Sequence, residues 1–358
     1  MDINKINKKI FRAYDVRGIY GEDIDEDVFY LLGMIFASYI SGDKIAVGRD
    51  IRPSSLSLSS AFVKGLTDSG VEVLNVGEVT TPILYFATNH LGCDGGAMIT
   101  ASHNPQNYNG IKFVKKNAEP IGGLEIGDFV KSYNQTKKEK SGSEKSEDVS
   151  DDYLNLVSKD FNLKRNIKIN VTTEKSVAGF FIDSFFKKMG IENYQESSAD
   201  VAFSFDPDGD RLEVFDEKGK QIRGDIVGGI IANTFLKKGN SLVHDITSTR
   251  KIREYFTKKE MSVERSKVGH FFIKNKMRKE GIDFGLEASG HYYFKNLNYV
   301  ESAFYALRLI LEALDKNPDK KISELASVFD GYFNSGEINL PFGSRGDWEN
   351  ILDKTKDK

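Results

Sequence analysis

The sequence predicts an α/β protein: three similar α/β domains with mixed, mostly parallel sheets arranged around a central cleft. Three observations predict it. Short apolar runs alternate with amphipathic stretches, the order that builds parallel strands joined by helices. The alternation recurs in three blocks. Each block ends in a strand followed at once by a specialised polar loop: "TASHNPQNYNG" near 100–110, "DPDGDR" at 206–211 and "LEASGHYYF" at 286–294. In open α/β sheets ligands bind beyond the carboxyl ends of the strands, so three such loops point to one shared site.

In the first block "KIAVGRD" (44–50) reads as a strand, "SSLSLSSAFVKGLTDSG" (54–70) as a helix ending near Gly70, and "VEVLNVG" (71–77) as the next strand. "TPILYFATNHLG" (81–92) is a helix with Pro82 in its first turn, where a missing N–H costs nothing, and "GGAMITA" (95–101) is a strand. The Lys/Glu/Ser-rich "NQTKKEKSGSEKSEDVSDD" (134–152) lacks apolar period and reads as a solvated loop or linker. The second block is "IKINVTT" (167–173), a helix over "EKSVAGFFIDSFFKKMG" (174–190), and "ADVAFSF" (199–205). The third runs "SLVHDIT" (241–247), "STRKIREYFTKK" (248–259), "SVERSKV" (262–268), "HFFIKNKMRKEG" (270–281) and "FGLEAS" (284–289), with helices near 299–315 and 321–329 after it. The blocks divide the chain into domains at 1–140, 141–223 and 224–338, leaving a short charged tail at 339–358.

The totals bound the function. A chain of 358 residues has room for two or three domains with real cores. Its net charge of −3 marks no whole surface for nucleic acid or anionic lipid. The single cysteine, Cys93, allows no intramolecular disulfide and no multi-cysteine metal site. There is no apolar run of membrane-spanning length, and the start has no apolar core of signal-peptide length. The expectation is a cytoplasmic setting with neither membrane nor nucleic-acid partner, and homo-oligomerisation is left open.

The first loop presents Ser102 directly after a buried strand, with Asn104 held in a turn by Pro105. The plain alternative is a capping serine in a polar turn. A serine is a poor nucleophile without an adjacent base; His103 is next to it in sequence, and no G-x-S-x-G elbow supports acyl transfer. The second loop crowds Asp206, Asp208 and Asp210 together. Such carboxylates repel unless a cation neutralises them, and hard oxygen ligands suit Mg²⁺, which also takes phosphate oxygens. Arg211 adds a fixed fork for phosphate or carboxylate. The rivals are a solvated acidic turn and an EF-hand with Glu217 at its last ligand position, but for the latter Arg211 stands where that loop needs glycine and a strand precedes it. The third loop offers Glu287, Ser289 and His291, which suit sugar hydroxyls, and Gly290 for close backbone approach. Basic residues lie in "FRAYDVRG" (Arg12, Arg17), "VGRD" (Arg49), "GIKFVKK" (Lys112) and "SKVGHFFIK" (Lys267, His270); singly, each reads as a surface or ion-pair residue.

Taken in order, "IFRAYDVRGIYG", "VGRD", "TASHNPQNYNGIKF", "DPDGDRLEV", "SKVGHFFIK", "LEASGHYYF" and "ALRLILEAL" cover nearly the whole chain. Together they resemble the α-D-phosphohexomutase superfamily and, within it, the phosphomannomutase/phosphoglucomutase group. The resemblance implies an intramolecular phosphotransferase, isomerase class 5.4.2, that interconverts hexose 1-phosphate and hexose 6-phosphate. Ser102 matches the phosphoserine, and a 1,6-bisphosphate of glucose or mannose is the intermediate and activator. The implied metal site is Mg²⁺ on Asp206, Asp208, Asp210 and a Ser102 phosphate oxygen. Ser102, His103, Lys112, Arg211 and His270 match the catalytic positions, with Lys112 and His270 the leading candidates for general base. Arg17, Lys267, Glu287, Ser289 and His291 match substrate-binding positions. The opening "FRAYDVRG" is similar to the mannose and glucose enzymes rather than the glucosamine ones.

The chain departs from that pattern in places. No Arg-Ser-Thr-rich phosphate clamp of a fourth domain follows "GEINLPFG", so 339–358 reads as a remnant of such a domain. The Pro-Asn-Pro-Glu-type stretch before the aspartate loop is missing, and Leu286 stands where the family has glycine. Losing charge-assisted phosphate bonds at roughly 1.5–3 kcal/mol each weakens binding, and an open cleft favours hydrolysis. The alternatives kept beside the mutase are therefore a phosphoglucosamine mutase, a leaky sugar-phosphate phosphatase, and a non-catalytic sugar-phosphate-binding remnant.

Overall fold

Strands buried on both faces form the centre of the N-terminal sheet. The computed structural model describes residue 3 and residues 6–133 and 141–333. In chain order the first part comprises β1 (Val16–Ile19), α1 (Glu26–Ile40), β2 (Lys44–Arg49), α2 (Ser55–Asp68), β3 (Glu72–Glu78), α3 (Thr81–His90), β4 (Gly95–Ile99), β5 (Tyr108–Lys115), β6 (Glu119–Ile121), α4 (Gly123–Val130) and β7 (Ser143–Ser146). Sheet order is β1-β5-β4-β2-β3-β7, with β6 on β5. The β-α-β strands run parallel (β4-β2-β3-β7), and β5 returns antiparallel between β4 and β1.

Side-chain alternation splits this sheet between two cores. Ile45 and Val47 of β2 face α1 and α2, packing with Phe29, Phe36, Phe62 and Phe113. Ala46, Leu74 and Met98 face α3 and join a larger core. Helix α1 starts where the Asp25 carboxylate accepts the Val28 N–H at 2.8 Å, with Glu26 and Asp27 in the first turn against the helix dipole.

The second part holds α5 (Ser150–Ser158), β8 (Ile169–Thr172), α6 (Ile182–Lys188), β9 (Val201–Phe205), β10 (Leu212–Phe215) and β11 (Gln221–Ile222). The third holds α7 (Gly224–Phe235), β12 (Ser241–Asp245), α8 (Arg250–Lys258), β13 (Ser262–Ser266), α9 (His270–Glu280), β14 (Phe284–Leu286), β15 (Tyr292–Phe294), β16 (Val300–Glu301), α10 (Ala303–Asp315) and α11 (Ile322–Ser327). Their sheets are ordered β11-β10-β9-β8 and β13-β12-β14-β15-β16. In each, β-α-β strands pair parallel and later strands add antiparallel: β8 with β9, and β13 and β14 with β12, are the parallel pairs. The architecture is thus mixed α/β, as the alternating pattern predicts.

The larger core runs without interruption from α3 through both later sheets. Phe304 of α10 is fully buried at a junction, with ring centroids 4.9 Å from Phe185, 5.1 Å from Phe205 and 6.4 Å from Tyr153. Tyr153 Oη and Ser302 Oγ, 2.7 Å apart, add a buried hydrogen bond between α5 and the start of α10.

Two expectations need correction. The stretch 134–152 is not all loop: Ser143–Ser146 pairs in parallel with β3, and α5 begins at Ser150. All four β7 side chains are exposed. An edge strand on the solvent side needs only main-chain hydrogen bonds, so apolar alternation does not reveal it. It also takes the first sheet past residue 140. The single helix expected over 174–190 is instead a 3₁₀ turn, Val177–Phe180, followed by α6. Ser176 caps that turn by accepting the Ala178 N–H, and Gly179 weakens the helix at the join. The tail at 339–358 lies outside the described residues.

Candidate active site

Strands β2 and β4 are parallel neighbours, so their carboxyl ends emerge side by side. After β4 the chain reaches Ser102, which is buried and holds a left-handed φ of 51°. A non-glycine residue in that region costs of order 1–3 kcal/mol and persists only where its surroundings enforce it. The Ser102 N–H is tied back to Thr100 Oγ1 at 2.8 Å. The loop's carbonyls converge on one buried guanidinium, that of Arg52, just beyond β2. Arg52 donates to the carbonyls of Ser102, Asn104, Pro105 and Tyr108 and pairs with the fully buried Asp50. Arg17, on β1, donates to Asn104 Oδ1 at 2.6 Å and pairs with Asp15.

The Ser102 hydroxyl donates to Asp206 Oδ2 at 3.2 Å and lies 3.3 Å from His103 Nδ1. Two loops 104 residues apart in sequence therefore meet at one oxygen. Burial, and then the charges of Arg211 and Arg17, pull the His103 pKa down to about 4, so its ring is neutral near pH 7.

The aspartate loop follows β9. Oxygens of Asp206, Asp208 and Asp210 lie within 4.8 Å of one another. Asp206 Oδ1 accepts the N–H groups of Asp210 and Arg211, each at 3.1 Å, which wraps the loop around its own first residue. Asp208 is held by α3: its carbonyl accepts the Thr81 N–H at 2.9 Å and its Oδ2 accepts the Thr81 hydroxyl at 2.7 Å. Gly209 has a φ of +66°, and a Cβ there would meet Thr80 Cγ2 at 2.6 Å, so glycine is required by both backbone and space.

Lys112 arrives from β5, opposite Met98 of β4. Its Nζ bonds Asp208 Oδ2 at 2.7 Å and also Asp210 Oδ2. Burial works against charge on this ammonium, but the two carboxylates outweigh it and raise its pKa, so Lys112 stays charged and donates. Burial and the two neighbouring carboxylates push Asp206 well above the usual carboxylate range. Burial also opposes charge on Asp210, yet Lys112 and His291 hold it well below that range. The residues present fit a hard cation: three convergent carboxylates beside a serine hydroxyl, with Asp208 Oδ1 buried and without a partner among the described residues. Glu217, the EF-hand rival's last ligand, instead accepts the Ser323 hydroxyl at 2.8 Å, away from this loop.

The third loop closes on the second. His291 Nε2 lies 3.2 Å from Asp210 Oδ1, and its Nδ1 lies 3.1 Å from Glu287 Oε2 and 3.0 Å from Ser289 Oγ. Glu287 also accepts the Tyr293 hydroxyl, and its Oε1 accepts the Gly269 N–H at 2.7 Å. Gly290 has a φ of +89° and places its carbonyl on the Leu212 N–H at 3.1 Å, the close approach that the glycine predicts. His270 begins α9 next to Gly269, its ring edge-on to Tyr14 at 5.8 Å. Both His270 nitrogens are buried without a partner among the described residues, and burial, then the Lys274 and Lys112 charges, pushes its pKa well below the usual value. Arg211 sits over the cluster with Nε 3.9 Å from Asp206 Oδ2.

Lys267 is the predicted site residue that the structure does not bring in. It is exposed, with Nζ 5.6 Å from the Phe272 ring centroid, and has no hydrogen bond or ion pair among the described residues. Arg49 pairs with Glu78 at the surface, in line with its plain reading.

Residues 8–139 match the family described as phosphoglucomutase/phosphomannomutase, alpha/beta/alpha domain I, and residues 223–332 match its domain III. The chain belongs to the phosphoglucomutase/phosphomannomutase family. The sheet carrying the aspartate loop lies between the two matched segments of this family member. A phosphomannomutase of Methanocaldococcus jannaschii is 35% identical, over 97% of this chain and 85% of the relative. A phosphoglucomutase of Neisseria gonorrhoeae is 32% identical, over 95% of this chain and 82% of the relative. The crystal structure of a phosphoglucomutase/phosphomannomutase family protein from Burkholderia thailandensis superposes with a TM-score of 0.83 at 29% identity, covering 91% of this chain and 80% of that one. Membership places the protein among the intramolecular phosphotransferases, EC 5.4.2.

Two positioning residues of this phosphohexomutase escape a reading of its sequence. Arg52 holds the serine loop and Thr81 holds the aspartate loop. A signal for both exists: each follows a strand whose carboxyl end lies at the site edge, Arg52 after β2 and Thr81 after β3.

Proposed function

We propose that this protein interconverts the 1- and 6-phosphates of mannose and glucose through a phosphoserine at Ser102 and a hexose 1,6-bisphosphate. The observation that carries the reading is the Ser102 hydroxyl bonded to Asp206 at 3.2 Å, inside a cluster of three carboxylates. Asp206, Asp208 and Asp210 would hold Mg²⁺, which when bound neutralises these acids and draws charge from a phosphoryl oxygen.

The remaining work falls to the chain's own groups. In each half-reaction the bond from phosphorus to one oxygen breaks as the bond to the other forms. The oxygens are Ser102 Oγ and a sugar hydroxyl, and the hydroxyl proton must leave. Lys112, already charged, offers donors to the transferring group; His270 is neutral, with a lone pair that has no partner among the described residues, so it is the group free to take the proton, although burial weakens it as a base. Arg17 and Arg211 flank the serine loop and the acids, where their guanidinium forks suit phosphate oxygens. His291 is assigned to the substrate's other phosphate, and Glu287 and Ser289 to the sugar hydroxyls. Phosphoryl transfer depends mainly on such positioning and charge neutralisation. We take the setting to be cytoplasmic and the partners to be small sugar phosphates; no helix among the described residues is long and apolar enough to cross a membrane.

A coupled isomerase assay tests the proposal, run with Mg²⁺ and a trace of glucose 1,6-bisphosphate on mannose, glucose and glucosamine 1-phosphates. Turnover of mannose or glucose 1-phosphate to the 6-phosphate, lost in Ser102→Ala, is expected. Turnover of glucosamine 1-phosphate alone would replace the substrate assignment. Release of free sugar and inorganic phosphate would make the protein a phosphatase.

A further inference from the structure

A second concentration of positive charge lies apart from the Ser102 centre. Strands β12 and β13 are parallel, and His244 pairs with Arg265 across them, so both side chains face the same way at the carboxyl end of the pair. Helix α8 begins five residues after β12 ends, and Arg250 and Arg253, one turn apart, face one side of it. These groups line a cavity of about 440 Å³ together with Ile246, Ser248 and one carboxylate, that of Glu254. None of the three guanidinium groups has a hydrogen bond or ion pair among the described residues. Like charges gathered without a partner repel, so the arrangement favours an anion.

The buried wall of the cavity supplies an independent sign of a ligand. His244 is 2% exposed, and its Nδ1 lies 2.7 Å from the Asp245 carbonyl oxygen. A carbonyl only accepts, so Nδ1 carries the proton and Nε2 holds a lone pair. Nε2 is buried with no partner among the described residues. Burial lowers the ring's pKa, which keeps it neutral. The nearby acids each hold a hydrogen-bond donor, and the three guanidinium groups outnumber the one carboxylate in the lining. Asp245 Oδ1 accepts from the main chain and hydroxyls of Thr247 and Ser248, Asp225 Oδ2 from the Thr249 N–H and Arg223, and Glu254 from the Tyr332 hydroxyl.

We propose that this cavity binds a phosphate group, with Arg250, Arg253 and Arg265 on its charged oxygens and His244 Nε2 accepting its P–OH. Forked guanidinium donors match phosphate geometry, and strand carboxyl ends beside a helix start are where anions settle. The site shares no residue with the Ser102 centre. Between them stands Asp245, whose Oδ2 accepts the Ala288 N–H of the third loop at 3.0 Å. The inference therefore stands whether or not the mutase assignment does.

The test is a titration of the full chain with inorganic phosphate, followed by the imidazole NMR signals of its 5 histidines. His244→Gln assigns the His244 signal, and His103 and His291 report the Ser102 centre in the same spectra. Phosphate is expected to shift the His244 signal saturably, and Arg253→Gln/Arg265→Gln is expected to weaken that binding at least tenfold while leaving the His291 response in place. Both arginines are exposed, and unchanged dispersion of the other signals shows that the variant is folded; Arg250→Gln alone provides a second, milder variant with the same expected direction. A His244 signal that stays still while phosphate saturates the His103 and His291 responses would overturn the proposal. So would a His244 shift that all these arginine variants leave unaltered.

Discussion

At Ser102 the backbone holds a conformation that serine disfavours, and Arg52 holds it there. One planar group satisfies four carbonyls and one carboxylate, which no lysine can copy. Arg52→Lys should keep the fold, lower kcat at least tenfold and leave KM nearly unchanged, because the nucleophile is misplaced while the sugar contacts survive. Arg52→Met strands Asp50 in the core and should cost about 3–5 kcal/mol in a denaturant melt. Asp208 tests the neighbouring loop. Asp208→Asn leaves a neutral oxygen for Thr81 but removes one carboxylate charge, so the Mg²⁺ concentration for half-maximal activity should rise and kcat fall about a hundredfold, near 2.7 kcal/mol. These residues differ in legibility. Three alternating acids announce themselves in a sequence, since their repulsion requires a cation. Arg52 is signalled only by its place just after β2, because its partners are main-chain carbonyls that any residue supplies. Lys112 could be quoted from the sequence, but its role as counter-charge depends on β5 folding back beside β4.

At the level of elements, the β-α-β rhythm carries the prediction. Buried strands β2, β3, β4 and β9 stand where apolar runs predict them, and the three chemical loops follow β4, β9 and β14. What hydropathy misses are elements whose stability comes from elsewhere. The β7 edge is exposed on every residue, and the break before α6 depends on the Ser176 cap and Gly179. Helix α10 shows how packing joins the units: Phe304 touches aromatic rings from α5, α6 and β9. Phe304→Ala should destabilise the protein by about 3–5 kcal/mol, read as a lower midpoint in urea with an unchanged slope. If unfolding instead splits into two transitions, Phe304 is what makes the units cooperative.

Across the whole molecule, residues from sites far apart in sequence meet in one place. The motif order in the sequence announces this convergence, but only the fold supplies the distances: Ser102 to Asp206, Lys112 to Asp208, His291 to Asp210. Because the first loop lies on the N-terminal sheet and the acids on the next, a bound cation ties those units together. Mg²⁺ at a hundredfold over its Kd should add about 2.7 kcal/mol of stability, seen as a rise in Tm that chelation reverses and Asp208→Asn diminishes. The most direct test of the central claim is intact mass spectrometry after exposure to glucose 1,6-bisphosphate and Mg²⁺. The account predicts a species heavier by one phosphoryl group, located at Ser102 by peptide mapping and discharged by mannose 1-phosphate. A protein that turns over substrate with no such species, or that keeps its activity as Ser102→Ala, would contradict it.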